Sequence, residues 1–537
     1  MDCRVLSFRE LPHQAELFLD FTDHFDAVKA FYAHPPTLEA VREVARGLPY
    51  PEERRREIVE ILARQNQGFG AGAATMRHLE RLAGGAVAVV TGQQAGLLSG
   101  PAFSFYKALT AIQIAAELTE EGIEAVPIFW MATEDHDLEE VRGTNWFIDG
   151  RLERFELPVP QQVGGPVGRI ALGDRVSEVA REAAGLLEKA GDPAMAKDVA
   201  ESYRPSETYG SAFAKLLSRL FRKQGLLLVD PLDECLRAVA APFVRKALEQ
   251  REPVISALLE REKDLEQNGY EAQVKVSAKN TLLFHLNGAS REAITVSDGA
   301  YRTRTAAWSP EELAQLVEKE PGSFSPNALL RPVTQDYLFP TAAYVGGPAE
   351  ISYFAQSEVI YRHLLGRMPV LLPRAGFTLV DSKAVKLLQK YDLEVEDVWR
   401  GAQLVRKRME AHSVPPGLAE RLDRAQAQTS RLMEELGKEI EKLDSTLKGA
   451  VDNARSKINF QLDNLRQKAG RALDERTKIL AEHERYLDSL LYPNKTLQSR
   501  ELCLLPLLAR WGSEGMRELQ QHCSGKKLGH HFIIRIP

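Results

Sequence analysis

The residue types best suited to chemistry fall into three short stretches. The first is Glu134-Asp135-His136-Asp137, where a carboxylate and an imidazole within reach of one substrate could deprotonate an amine or hold a divalent ion. Acid, base and metal ligation all stay open on residue type alone, as does the plainer role of capping the next helix. The second is the loop from Thr91 to Pro101, in which Gly92, Gly96 and Gly100 would let the chain approach a ligand, with Gln93, Gln94 and Ser99 between them. Free backbone N–H groups before a helix attract phosphate or carboxylate, and Lys107 further along could counter a phosphate. The loop matches neither G-x-G-x-x-G nor the P-loop, so neither mechanism is imported, and a structural turn beside a solvated lysine is the alternative. The third stretch holds Arg331, Gln335 and Asp336, then Tyr344, Gly346, Gly347, Glu350 and Tyr353, with Arg374 beyond. Arg331 and Arg374 are natural clamps for carboxylates or phosphates, or else ordinary salt-bridged arginines. No Cys/His set has the spacing of a zinc site, so no metal site is expected, and His530 and His531 read as incidental.

These stretches need rigid elements to position them. Ala86 to Val90 is a wholly apolar run suited to a strand buried on both faces, and Phe105, Leu109, Ile112 and Ala116 share one helix face behind Pro101. Ala125 to Met131 is a second apolar run ending at the acidic cluster, so the unit reads strand, loop, helix, strand. A second such unit runs from Thr341 to Val345, through Gly346-Gly347-Pro348 and a helix, to Pro369 to Leu372, and Leu226 to Val229 adds a further strand. Two units of this kind predict an α/β fold with a Rossmann-like, doubly wound core, whose ligands sit at the strands' C-terminal ends. The chain should divide at about residue 380 and again at about 495. Residues 1–380 would form the core, with a helical N-terminal region and small β-rich insertions near 150–205 and 270–335. Residues 381–495 would form a helical coiled-coil module, and 496–537 would return to the core. From Leu432 to Ala469 the apolar positions step by 3, 4, 4, a period of about 3.67 residues per turn. A hairpin turn at residues 444–449 and a dimer seam are both compatible with that pattern.

At 44% apolar and 27% charged residues over 537, the chain has the mix of a globular protein with more than one module. A net charge of -6 without a basic block argues against nucleic-acid binding. No apolar run is long enough for a membrane span and the N-terminus lacks a signal pattern, so a cytoplasmic protein is expected. Cys3, Cys235, Cys503 and Cys523 are widely spaced and read as reduced thiols.

Four motifs carry a resemblance: VVTGQQAGLLSGP followed by Tyr106-Lys107-Ala108, then PIFWMATEDHDLEEV, SPNALLRPVTQD and YVGGPAEISYFAQ. Together they are similar to the cysteine ligase family of bacillithiol biosynthesis (BshC), over nearly the whole chain. The resemblance implies a ligase joining the carboxyl group of cysteine to the amino group of glucosaminyl malate to give bacillithiol. It also implies connecting-peptide insertions and a coiled-coil module; a homodimer, which the coiled coil could join, is the expected assembly. The family's fold is similar to that of class I aminoacyl-tRNA synthetases and nucleotidyltransferases, which implies ATP with Mg and a cysteinyl adenylate by analogy of fold. On that reading Gly92 to Gly100 approach the nucleotide, Lys107 or Arg374 opposes developing charge, and Glu134 to Asp137 orient cysteine or the amine. The competing readings are a nucleotide-binding transferase or hydrolase acting on another small acid, and a metabolite-sensing coiled-coil interaction protein.

Overall fold

Apolar runs with no polar alternation can form strands only where both sheet faces are covered. The computed structural model, which describes residues 3–160, 164–287, 290–413, 417–444 and 447–537, arranges five of them in that way. In chain order the central elements are β1 (Val87–Gln93), α1 (Phe103–Glu120), β2 (Ala125–Met131), β3 (Leu227–Val229), α2 (Glu234–Glu249), β4 (Thr341–Gly346), α3 (Pro348–Ile360) and β5 (Val370–Pro373). The strands lie side by side in the order β5-β4-β1-β2-β3, and every neighbouring pair is parallel. From β1 the chain builds outward through β2 to β3, then returns to the other side of β1 with β4 and β5. The direction of winding reverses between β1 and β4. A crevice opens at such a point, because the two flanking crossovers lie on opposite faces of the sheet. The Thr91 hydroxyl donates to the carbonyl of Val345 at 2.8 Å and ties the two strands together there. On one face Val89, Val345 and Leu372 pack against Ala111, Ile114 and Leu118 of α1 and against Val41. Each such side chain stabilises the sheet by about 1.5–3 kcal/mol relative to an exposed one.

The chain forms two compact units, Met1–Val380 with Thr496–Pro537, and Asp381–Lys495. In the first, five α-helices between Glu16 and Ala83 precede the sheet. The end of the chain pairs His530–Ile536 antiparallel with Cys3–Ser7, a strand that the charged N-terminal sequence had not suggested. Residues 270–335 carry a five-stranded sheet that includes Asn280–Asn287, Ser290–Ser297 and Phe324–Pro326. Residues 150–205 correct the expectation of a β-rich insertion. Among the described residues there, Arg151–Glu156 is the one strand, paired with Gly143–Ile148, and much of the remainder forms the helices Val176–Ala190 and Pro193–Ser202. Val176, Val179, Ala180, Ala183 and Leu187 are buried at helical spacing, so the helical period overrides the turn residues around them.

In the second unit the long repeat is interrupted. Helix α4 (Leu418–Leu443) ends at Asp444, whose backbone is extended, and α5 (Lys448–Leu491) packs back against α4. A hairpin results. Of the turn, residues 445 and 446 lie outside the described residues. Leu432, Leu436, Leu443, Phe460 and Leu465 stay exposed on the two helices.

Candidate active site

The C-terminal ends of β1, β2 and β4 open into one cavity of about 640 Å³, at the reversal of winding. Gly92, Gln93 and Gln94 line it from β1 and its loop; Trp130, Ala132, Glu134 and Asp135 from the end of β2. Tyr344, Gly347, Glu350 and Tyr353 line it from β4 and α3, Arg331 from the helix Arg331–Leu338, Lys107 from α1, and Arg374 from the end of β5. Trp130 lies at the end of β2, and the turn that follows the strand brings Ala132, Glu134 and Asp135 to the same cavity.

Lys107 is buried and fully engaged. Its ammonium donates to the carbonyl of Gly92 and to Gln93 Oε1, both at 2.8 Å, and forms an ion pair with Glu350. Burial pushes the Lys107 ammonium below its ordinary range, while Glu350 opposes that shift. Glu350 accepts a further bond from the Tyr344 hydroxyl at 2.6 Å and caps α3 at the Gly347 N–H, 2.8 Å away. Against the raising effect of burial, Lys107 holds the Glu350 carboxyl below the usual range. Arg331 donates to Gln335 and to the Tyr353 hydroxyl, each at 3.1 Å, so its partners are neutral.

Arg374 is buried beside the cavity and donates to the carbonyl of Ala375 at 3.1 Å. Among the described residues neither it nor the exposed Arg500 forms an ion pair within 4 Å, although Glu350 acts on Arg374 and Arg500 acts on Glu140 through space. Burial, reinforced by Arg500, lowers the Arg374 guanidinium to about 10. Two neighbouring cations at one end of the cavity could hold an anionic group. Carboxylates occupy the same cavity. Burial raises Glu134, and burial together with Asp137 and Asp135 raises Glu140. Burial acts upward on Asp135 too, but the His136 N–H, Gln94 and Arg291 together hold its carboxyl below the usual range. The site can thus hold an anion at one group and accept a proton at another.

Two family models match the chain. The Rossmann-like N-terminal domain of bacillithiol biosynthesis BshC covers residues 1–375, and the C-terminal coiled-coil domain of the same family covers 377–535. The chain belongs to the bacillithiol biosynthesis BshC family. Among its curated relatives, a Koribacter versatilis protein is 38% identical over 100% of this chain and 99% of its own length. A Solibacter usitatus protein is 38% identical over 95% and 96% of the two chains, and one from Salinibacter ruber 32% identical over 96% of each. All three carry the name "Putative cysteine ligase BshC".

Within this BshC chain, several residues singled out in the sequence lie away from the cavity. Asp137 caps the next short helix at the Glu140 N–H, and His136 is exposed. Gln335 and Asp336 are buried beneath the site, where Asp336 accepts from Tyr361 and Gln335. Tyr106 packs against Phe377 in the core. Gly96, Ser99 and Gly100 belong to a loop folded on itself, with Leu98, Ser99 and Gly100 at φ of 49°, 78° and 67°. A Cβ on Gly96 would meet the Cα of Gly100 at 2.8 Å, so these glycines serve the loop's own close approach. The Tyr203 hydroxyl and Cys503 Sγ bond to that loop from the other side.

Other cavity residues escaped the sequence reading. Arg291 comes from the insertion strand Ser290–Ser297, stacks on Phe284 at 4.0 Å, and donates to Ser325 at 3.1 Å and to the Pro326 carbonyl at 3.0 Å. Glu140 stood next to the acidic cluster, and its position one helical turn after Asp137 was the available signal. Arg500, from the returning C-terminal segment, offered none.

Proposed function

We propose that the chain joins the carboxyl group of cysteine to the amino group of glucosaminyl malate, forming the amide of bacillithiol at the expense of ATP with Mg. Support comes from one observation above all: Arg374 and Arg500, which form no ion pair among the described residues, share a cavity with Glu134, Asp135 and Glu140 at the reversal of a parallel sheet. Amide formation from a carboxylate needs activation of the carboxyl group. In the proposed sequence the cysteine carboxylate attacks the α-phosphorus of ATP and pyrophosphate leaves. The sugar amine then attacks the carbonyl carbon of the adenylate, and AMP leaves with the bonding electrons. Arg374 and Arg500 suit the anionic groups, either phosphate or carboxylate. Glu140, a carboxyl held above its ordinary range, takes the proton that the amine sheds. Lys107 positions the loop and Glu350. Its engagement with three acceptors argues for that role over direct charge neutralisation.

Purified protein incubated with cysteine and glucosaminyl malate, with and without Mg-ATP, is assayed by mass spectrometry for bacillithiol and AMP. Both products, appearing only with ATP, support the adenylating ligase. Bacillithiol without ATP rejects the adenylate, and no bacillithiol from folded protein rejects the ligase. We also propose a cytoplasmic homodimer, a reading supported by the exposed Leu432, Leu436, Phe460 and Leu465 of the hairpin and tested by sedimentation of the full chain. No described helix is long and apolar enough to cross a membrane.

A further inference from the structure

A small chamber of about 30 Å³ adjoins the main cavity and shares Trp130, Glu134 and Pro326 with it. Leu236, Ala240 and Val244 of α2, with Phe324 and Leu338, give it mostly apolar walls, and Arg237 is its second charged residue. Three polar atoms on these residues lack a hydrogen-bond partner among the described residues: Trp130 Nε1, Glu134 Oε1 and Arg237 Nη2. Their residues are 2%, 4% and 7% exposed. Arg237 donates through its other nitrogens to the carbonyls of Pro231 at 2.8 Å and Gly322 at 2.5 Å. Its Nη2 stands 3.6 Å from Glu134 Oε2, an ion-pair distance too long for a hydrogen bond. A buried polar atom left unpaired is costly, and native proteins complete such atoms with water or a ligand. Two donors and one acceptor, carried by residues that line a space for one or two heavy atoms, limit what completes this set. It is a small group that both gives and takes a hydrogen bond.

We propose that the chamber receives the side chain of the amino-acid substrate, the –CH₂–SH of cysteine. This inference rests on the cysteine-ligase reading and adds how that amino acid is chosen. Cβ and Sγ are the two heavy atoms that the space admits. The thiol donates to Glu134 Oε1, and its sulfur accepts from the Trp130 indole and from Arg237 Nη2. The apolar walls suit sulfur, which is less costly to desolvate than a hydroxyl, whereas a branched or longer side chain meets Ala240, Val244 and Phe324. Trp130, Glu134 and Pro326 line both spaces, which adjoin at these residues; in the proposal the side chain passes them into the chamber while the carboxyl and amino groups stay in the main cavity beside the arginines.

The test uses the full chain, with equilibrium binding of cysteine, serine and 2-aminobutyrate by calorimetry and steady-state kinetics of bacillithiol formation. 2-Aminobutyrate replaces the thiol by a methyl group and leaves the three polar atoms unpaired, so it is expected to bind at least about 10-fold more weakly than cysteine, and serine about 10- to 100-fold more weakly. Ala240→Leu fills the chamber and is expected to raise the cysteine KM at least about 10-fold while leaving the glucosaminyl malate KM within about two-fold. Trp130→Phe keeps the ring but removes one donor, with a rise of about 3- to 10-fold in the cysteine KM. The 2-aminobutyrate comparison needs no substitution and is immune to misfolding of a variant. Equal binding of cysteine and 2-aminobutyrate, or an unchanged cysteine KM in Ala240→Leu, overturns the chamber and leaves the ligase reading standing. Cysteine that binds but yields no bacillithiol, with binding weakened by Ala240→Leu, overturns the ligase and upholds the chamber. Cysteine neither bound nor consumed by the unaltered chain overturns both.

Discussion

Replacing Lys107 by Met separates a positioning lysine from a catalytic one. The Lys107 side chain is 3% exposed and the Glu350 side chain 17%, so the substitution leaves a largely buried carboxylate without its cation. Breaking a buried pair from one side typically costs about 3–5 kcal/mol. Glu350 keeps the Tyr344 hydroxyl and the Gly347 N–H, which places the expected loss near the lower end, about 3 kcal/mol. Adding Glu350→Gln removes the stranded charge. The double variant is therefore expected to lose less than the sum of the two single losses, by about 2 kcal/mol in a double-mutant cycle. The assay is urea unfolding of each variant, followed by kcat and KM on the protein that remains folded. A Lys107→Met protein that loses under about 1 kcal/mol of stability, shows no coupling to Glu350 and has lost turnover would refute the positioning role. It would restore the lysine as a group that meets developing charge directly.

Glu140→Gln is expected to lower kcat by about 10²- to 10⁴-fold and to abolish the acidic limb of the pH–rate profile. A base works deprotonated, so in the unaltered protein the rate falls as pH drops through the Glu140 pKa, and its upward shift moves that limb above the usual carboxylate range. Arg374→Met removes a charged donor from the anion site. It is expected to raise the KM of the anionic substrate it meets by about 10- to 100-fold, read by varying ATP, cysteine and glucosaminyl malate in turn. His136→Ala is expected to leave kcat/KM within about three-fold, because the ring is exposed and lies outside the cavity lining. A large loss there would bring the imidazole back into the reaction. Ser99→Ala should likewise leave kinetics unchanged, because Ser99 is buried against Cys503 and lies outside the cavity lining.

The parallel sheet was legible because its strands are apolar on both faces and are followed by Gly-rich loops and helices, a pattern that local sequence carries in full. Ala86 to Val90, Ala125 to Met131 and Thr341 to Val345 therefore announced themselves, as did the helix behind each loop. The helices at 176–202 run against the β-rich expectation, which rested on alternating runs of the kind at 273–286, whereas Val176, Val179, Ala180, Ala183 and Leu187 keep helical spacing. The long repeat from Leu432 left hairpin and dimer seam both open, because its 3, 4, 4 spacing runs on from Leu443 to Leu447, past the end of α4.

The sequence by itself determined the family and the doubly wound core, and it pointed to the ends of β1, β2 and β4, where the cavity lies, as the candidate site. Which side chains meet there was a matter of tertiary structure. Lys107 and Glu350 come from different halves of the chain, and only the pairing of β1 with β4 turns two unremarkable charges into one buried ion pair. Arg291 and Arg500 reach the cavity from an insertion and from the returning C-terminus, distances along the chain that no local pattern encodes. Gly96, Ser99 and Gly100 have the composition of a ligand loop, yet the turn at Leu98 to Gly100 brings Gly96 against Gly100, and none of the three lines the cavity. Residue type sets what a group can do, and the crossing of distant strands decides what it faces.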